Sequence, residues 1–283
     1  MKLMHLRRGE TPDCRAGEAA RAVTSPATPL SGDSAGAGGD ITAVRMANSH
    51  SSYDASPVGD VEHSMDSTTA RVAAKRHLSD LTQLANPYRS VSSGRCSSLK
   101  YRDQGDDFVT RTLDFTGDVA EVRGWLQNQQ ADGGGDFPEA MDAALSEATE
   151  LEWSGDSDTA RVLILNADAS PHQSDIASTL DISRNLAEDG VRVYSLAASG
   201  VDRNAEFIMR AMAATTGGQH LFLTSDSGIG GEKLEPRAEC YQVTGLDDLL
   251  YSVLATELAG ERIEPNPTAV IRTVGQYDRG VCA

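Results

Sequence analysis

The chain has 283 residues, of which 39% are hydrophobic, and its 25 Lys and Arg against 42 Asp and Glu give a formal net charge of −17. This length suits one α/β domain of roughly 200 residues with extensions, and the acidic charge disfavours a nucleic-acid partner. No run approaches the roughly 20 apolar residues of a transmembrane helix, and no signal peptide is legible. The sequence leaves the compartment open, with the cytoplasm as the default.

The first 55 residues have the composition of a disordered, low-complexity tail. Small and polar residues without periodicity fill 24–29 and 34–39. Such segments bury too little apolar surface to offset the chain entropy lost on folding, so we expect disorder over 1–55. The four cysteines lack the C-x-x-C spacing of a zinc site, and one disulfide among them remains possible.

Helices and strands alternate through the rest of the chain. Hydrophobic spacing predicts a helix that begins near Ser67 and ends at Asn86-Pro87, followed by a weak strand at 90–100. Further helices are predicted at 118–129, 138–149, 174–189, 204–215 and 246–258, and strands at 161–165, 191–196 and 219–223. This alternation is typical of an α/β fold with a parallel sheet covered by helices on both faces.

Acidic residues recur where the predicted strands end and the helices begin. Asp168 follows the strand at 161–165, while Asp136 and Glu139 lie where a Gly-rich turn meets a helix. A third acidic segment, 60–65, precedes the first helix. Because ligands of open α/β sheets bind at the carboxyl ends of the strands, we expect these loops to converge. Carboxylates about 4 Å apart repel by a few kcal/mol, and a divalent cation with oxygen ligands would resolve the conflict.

Four segments together resemble one known family. They read Y-R-D-Q-G-D at 101–106, G-G-G-D-F-P-E-A at 133–140, N-A-D-A-S-P-H at 166–172 and M-A-A-T-T-G-G-Q-H-L-F-L-T at 212–224. This pattern resembles the von Willebrand factor type A (VWA) domain, in particular its bacterial members and, in the metal loops, the integrin β-subunit version. The resemblance covers 58–260, which leaves 261–283 as a carboxyl-terminal extension that either packs or hangs free.

The resemblance implies a Rossmann-like, doubly wound, mostly parallel sheet flanked by helices, with a metal-ion-dependent adhesion site at its edge. It implies a Mg²⁺ site (or Mn²⁺ or Ca²⁺) built from three loops that contribute Asp60, Glu62, Ser64, Asp136, Glu139 and Asp168. Within this set, Glu62 stands at the middle hydroxyl position of the first loop, and Asp136 serves a neighbouring cation. A carboxylate from a protein partner, Asp or Glu, would complete the metal shell. The implied function is therefore protein binding rather than catalysis.

Other interpretations of these residues stay open. Glu139 can be a first-turn acid stabilised by the helix dipole, and Asp168 or Asp136 can be a cap. We expect His172 to make a structural hydrogen bond, although it is also the one base available to a metal-dependent phosphoester hydrolase. A VWA-like domain without metal is a third possibility, because the segment 52–59 is poor in apolar residues and carries a proline at a predicted central strand. Family members are often exported, so the compartment stays open.

Overall fold

The structure is a computed structural model that describes residues 40–47, 94–129, 138–157, 159–198, 201–227 and 235–282. The helix predicted between Ser67 and Asn86 lies outside these residues. Within them, the predicted mixture of helices and strands is confirmed, and the chain has an α/β fold.

A six-stranded sheet has the spatial order β3-β2-β1-β4-β5-β6. Its strands are β1 Asp40–Ala47, β2 Gly94–Tyr101, β3 Thr110–Thr116, β4 Thr159–Ala167, β5 Val191–Ala197 and β6 His220–Phe222. Strands β4, β5 and β6 pair in parallel. Strand β1 is antiparallel to both β2 and β4, and β2 is antiparallel to β3. The sheet is therefore mixed, and its parallel part comprises β4, β5 and β6.

Strand β1 lies within the segment that composition predicts as a disordered tail. All 8 residues of β1 pair with residues of β4. The small-residue runs on which that prediction depends end at residue 39, and Ile41 and Val44 bring β-branched residues into the stretch that follows. The described part of 1–55 is thus a strand, and the remainder lies outside the described residues.

Five α-helices occur among the described residues, and each overlaps a predicted one. They are α1 Val119–Gln127, α2 Met141–Thr149, α3 Ile176–Glu188, α4 Arg203–Thr216 and α5 Leu246–Ala259. Helix α1 begins at the N-cap Asp118, whose carboxylate accepts hydrogen bonds from the first turn. Of the described helices, none combines the length and the apolar character needed to cross a bilayer.

The core lies between the parallel strands and the helices. Leu163 and Leu165 of β4 are fully buried, as expected for a continuous apolar run in a parallel strand. Val193 of β5 is fully buried as well. Helix α2 buries Met141 and Leu145 against this core. The predicted strands at 161–165 and 191–196 are therefore confirmed as core strands.

The carboxyl-terminal extension is folded. Strand β7 (Tyr241–Thr244) pairs antiparallel with β8 (Val270–Val274), and β9 (Tyr277–Asp278) pairs with β10 (Val281–Cys282). A disulfide joins Cys240 to Cys282 across 42 residues of sequence. The predicted domain boundary at residue 260 therefore falls between two strands of one sheet, β7 and β8, which are hydrogen-bonded to each other.

Candidate functional site

Glu139 lies in a short segment that pairs with the loop after β4. Its backbone N–H donates to the carbonyl of Ser170 over 3.0 Å, and it forms a parallel bridge with Pro171. The bridge is at Glu139, and α2 begins at Met141 rather than at the predicted Pro138. The side chain of Glu139 is buried, with only 1% of the residue exposed.

Asp168 follows directly on β4, at the carboxyl end of the parallel strands. The end of β5 lies beside it: the N–H of Ala198 donates a hydrogen bond of 2.8 Å to the carbonyl of Ala167, the residue before Asp168. Asp168 is half-buried, and its Oδ1 is a buried oxygen, as is Oε2 of Glu139. The structure thus brings the segment that carries Glu139 against the loop that carries Asp168.

The loop after β2 reaches the same edge of the sheet. Strands β2 and β4 both run antiparallel to β1, and Asp40 pairs with Lys100 on one side and with Asn166 on the other. Beyond these strand ends, Nε2 of His172 lies 2.5 Å from Oδ1 of Asp103. The predicted structural hydrogen bond of His172 is confirmed, and it connects two of the loops at this edge.

Four of the predicted metal-site residues, Asp60, Glu62, Ser64 and Asp136, lie outside the described residues. Within the described ranges, no group of three or more His, Cys, Asp or Glu side chains is arranged to hold a metal ion. Glu139 and Asp168 are therefore the two predicted ligands that the structure locates. Carboxylate oxygens are ligands of the type that Mg²⁺ and Ca²⁺ take, so both fit the predicted ion in their chemistry.

Asp103 is a residue of this edge that sequence reasoning did not single out. It is mostly buried, with 9% of the residue exposed. The available signal was its position directly beyond the carboxyl end of a strand. That signal was weak because β2, with its serines and glycine, is poor in apolar residues.

A second polar cluster lies between β5, β6 and α4. Ser195 is fully buried on β5, and its hydroxyl donates to the carbonyl of Met209 over 2.9 Å. Because a hydroxyl has one hydrogen, its oxygen accepts from Nδ1 of His220 at 2.9 Å. Burial, reinforced by repulsion from Arg210, lowers the pKa of His220 to about 4. This arrangement ties β6 to β5 and α4, and it leaves Ser195 inaccessible to a substrate.

No protein-family model matches this chain, and no curated protein is significantly similar to it. The resemblance to the VWA domain therefore remains a prediction from the sequence motifs. The fold and the geometry of the edge provide the grounds on which a function can be proposed.

Proposed function

We propose that the chain is a non-enzymatic, metal-ion-dependent binding module of the VWA type, with a Rossmann-like doubly wound core. The observation that carries the proposal is the backbone pairing of Glu139 with Ser170 and Pro171. This pairing sets the second predicted metal loop against the third, which begins at Asp168. Two acidic side chains separated in sequence thereby belong to adjoining segments at one edge of the sheet.

In this proposal the ion is Mg²⁺, or Mn²⁺ or Ca²⁺ in its place. Glu139 and Asp168 contribute carboxylate oxygens, and the loop with Asp60, Glu62 and Ser64 contributes further ones, with Asp136 beside a neighbouring cation. A protein ligand presents an Asp or Glu whose carboxylate completes the coordination of the ion. The bound cation also offsets the repulsion between the acidic side chains, which is considerable at short separations.

The experiment is a calorimetric titration of the full chain with Mg²⁺ and Mn²⁺. We expect saturable binding that Glu139→Gln and Asp168→Asn each weaken at least about tenfold, since even outer-shell partners of a metal contribute that much. Glu188→Gln removes the same charge from the exposed last turn of α3 and leaves the affinity unchanged. That helix has 13 residues, so its end lies about 20 Å from its start beside the metal loops.

An absence of saturable binding in the wild-type protein, or an equal loss in all three variants, contradicts the proposal. A phosphatase assay with Mg²⁺ or Mn²⁺ tests the hydrolase alternative. Turnover that disappears in Asp168→Asn would replace the binding module by an enzyme.

A further inference from the structure

Three basic side chains surround the ring of Phe108 in the connection between β2 and β3. The guanidinium carbons of Arg111 and Arg102 lie 3.9 Å and 4.5 Å from the ring centroid, and Nζ of Lys100 lies 5.6 Å from it. Each contact has cation–π geometry, which stabilises a cation by about 0.5–2 kcal/mol depending on its exposure. The connection is closed by a hydrogen bond from Arg102 N–H to the carbonyl of Val109 over 2.9 Å.

The strand register places two of these cations directly opposite each other on neighbouring strands. Lys100 of β2 is the direct cross-strand partner of Arg111 of β3. Like charges directly opposite each other destabilise an antiparallel pair. Phe108 offsets part of this repulsion with the negative face of its ring, and an anion between the cations would offset more.

Burial raises the cost of keeping these charges together. Lys100 is 1% exposed and Arg102 is 5% exposed. Among the described residues, the buried Nε of Arg102 has no hydrogen-bond partner. Within the described part of the chain, Arg102 forms an ion pair with Asp107, whose carboxylate lies 3.9 Å away and is 83% exposed, so it neutralises the guanidinium only weakly.

These side chains line a cavity that Asn128 and Gln129 complete. Its volume is about 150 Å³, roughly that of five water molecules in the liquid. This is well below the roughly 300–1,000 Å³ of sites that take drug-sized ligands. The cavity therefore suits a compact oxyanion and is too small to enclose a whole nucleotide.

We propose that this cavity binds a phosphate group, either as inorganic phosphate or as a small phosphate ester. Arginine forks bind phosphate oxygens through paired N–H donors, and an ammonium group adds a further donor. Arg102 and Arg111 supply the forks and Lys100 supplies the ammonium group. The site is built from residues other than those of the proposed metal centre, so it stands independently of that proposal.

The test is calorimetric titration of the full chain with inorganic phosphate and with O-phosphoserine at constant ionic strength, with acetate as a monoanion for comparison. We expect one saturable site for the phosphates and weaker binding of acetate. Arg111→Gln, on an exposed residue, should weaken the affinity for phosphate about tenfold or more, since hydrogen bonds to charged groups are the strong ones. Asp107→Asn should strengthen the affinity, because it removes the one carboxylate among the described residues that line the cavity.

Arg123→Gln on the exposed face of α1 is the matched control and should leave the affinity unchanged. The separate variant Arg102→Gln should also weaken the affinity for phosphate. Because Arg102 is buried, thermal denaturation verifies that this variant folds. Tighter binding of O-phosphoserine supports an esterified ligand, and tighter binding of inorganic phosphate supports the free ion. Three results would overturn the proposal: no saturable phosphate site, acetate bound as tightly as phosphate, or equal losses in Arg111→Gln and Arg123→Gln.

Discussion

The carboxylate of Asp103 connects two loops that are 69 residues apart in sequence. It accepts the hydrogen bond of His172, whose side chain is 28% exposed against 12% for Asp103. Hydrogen bonds that involve a charged group contribute about 1.5–3 kcal/mol, and partial exposure reduces this contribution. The contact fixes the position of the loop after β4 relative to the loop after β2.

We predict that Asp103→Ala lowers the free energy of unfolding by about 1–2 kcal/mol, because His172 loses its acceptor in a partly buried site. Urea denaturation followed by circular dichroism measures the change. Asp114→Ala removes the same charge from an exposed position of β3 and should change the stability by less than about 0.5 kcal/mol. Equal effects of the two substitutions would contradict a structural role for the contact.

His220 is held neutral by its surroundings. Burial is the main cause of its lowered pKa of about 4, and repulsion from Arg210 outweighs the opposing attraction of Glu206. In the unfolded chain the imidazole returns to a pKa of about 6.5. Between these two values the unfolded state binds a proton that the folded state does not, so stability rises with pH across this interval.

We predict that the stabilisation associated with His220 is complete above about pH 6.5 and is lost as the pH falls toward 4, for a total of up to about 3 kcal/mol. Urea denaturation of the wild type and of His220→Gln at pH values from 4 to 7 measures the difference. Subtraction removes the carboxylate titrations that both proteins share. Parallel stability curves for the two proteins would show that His220 is not held neutral in the folded state.

At the scale of elements, the end of α4 is fitted closely to β5. Gly217 caps the helix in the left-handed conformation with φ of +71°, and a Cβ there would meet nothing within 4 Å. A Cβ on Gly218 would lie 2.0 Å from the carbonyl oxygen of Val193. Thr216 reinforces this approach, since its hydroxyl accepts a hydrogen bond from Val193 N–H over 2.9 Å.

These two adjacent glycines allow a paired prediction. Gly217→Ala should cost about 1 kcal/mol, the penalty of a left-handed conformation for a residue with a Cβ. Gly218→Ala should cost about 3 kcal/mol or more, because backbone atoms of β5 must move to admit the methyl group. Thermal and urea denaturation of both variants give the comparison. A larger loss for Gly217→Ala would contradict the close approach of the helix end to β5.

The elements that the sequence predicted correctly include all five described helices and strands β4, β5 and β6. Helices α3 and α4 each extend over more than three turns, and β4 carries an unbroken apolar run at 162–165. Strand β7 has only 4 residues, too few for a recognisable alternation. Strand β3, although it alternates at Leu113 and Phe115, was also missed.

The candidate site was predictable in part. The position of Asp168 at the end of a strand follows from a general rule for α/β sheets. The backbone pairing of Glu139 with Ser170, and the choice of Asp103 as the partner of His172, are contacts between distant segments that no local pattern encodes. The cavity around Phe108 could not be predicted from the sequence either, because it depends on the register that places Lys100 opposite Arg111.

At the scale of the whole molecule, a disulfide between Cys240 and Cys282 cross-links the carboxyl-terminal segment to an earlier part of the chain. Four cysteines permit three pairings in two bonds, and sequence alone could not select Cys240 and Cys282. The disulfide closes a loop across 42 residues that contains β7, α5, β8 and β9. Cys240 directly precedes β7, the strand that pairs with β8. The disulfide therefore holds Cys282 beside the start of β7.

We predict that the double variant Cys240→Ala/Cys282→Ala unfolds at lower urea concentration than the wild type. The loss in free energy should be up to about 4 kcal/mol by the loop-entropy relation for a loop of this size. Peptide mapping without reduction should yield the Cys240 and Cys282 peptides as a cross-linked pair in the wild type, and this pair should be absent from the variant. Unlinked Cys240 and Cys282 peptides from the wild-type protein, or identical unfolding curves, would contradict this pairing.

The closed loop also determines how a mechanical pull would travel through the molecule. Tension applied to the chain beyond Cys282 would pass through the sulphur atoms directly to Cys240. The intervening strands and helix would bear none of it and would keep their shape while the link persists. Reduction of the disulfide would remove this direct path. The same force would then act along the chain through β8 and separate β8 from β7 before it acted on the core.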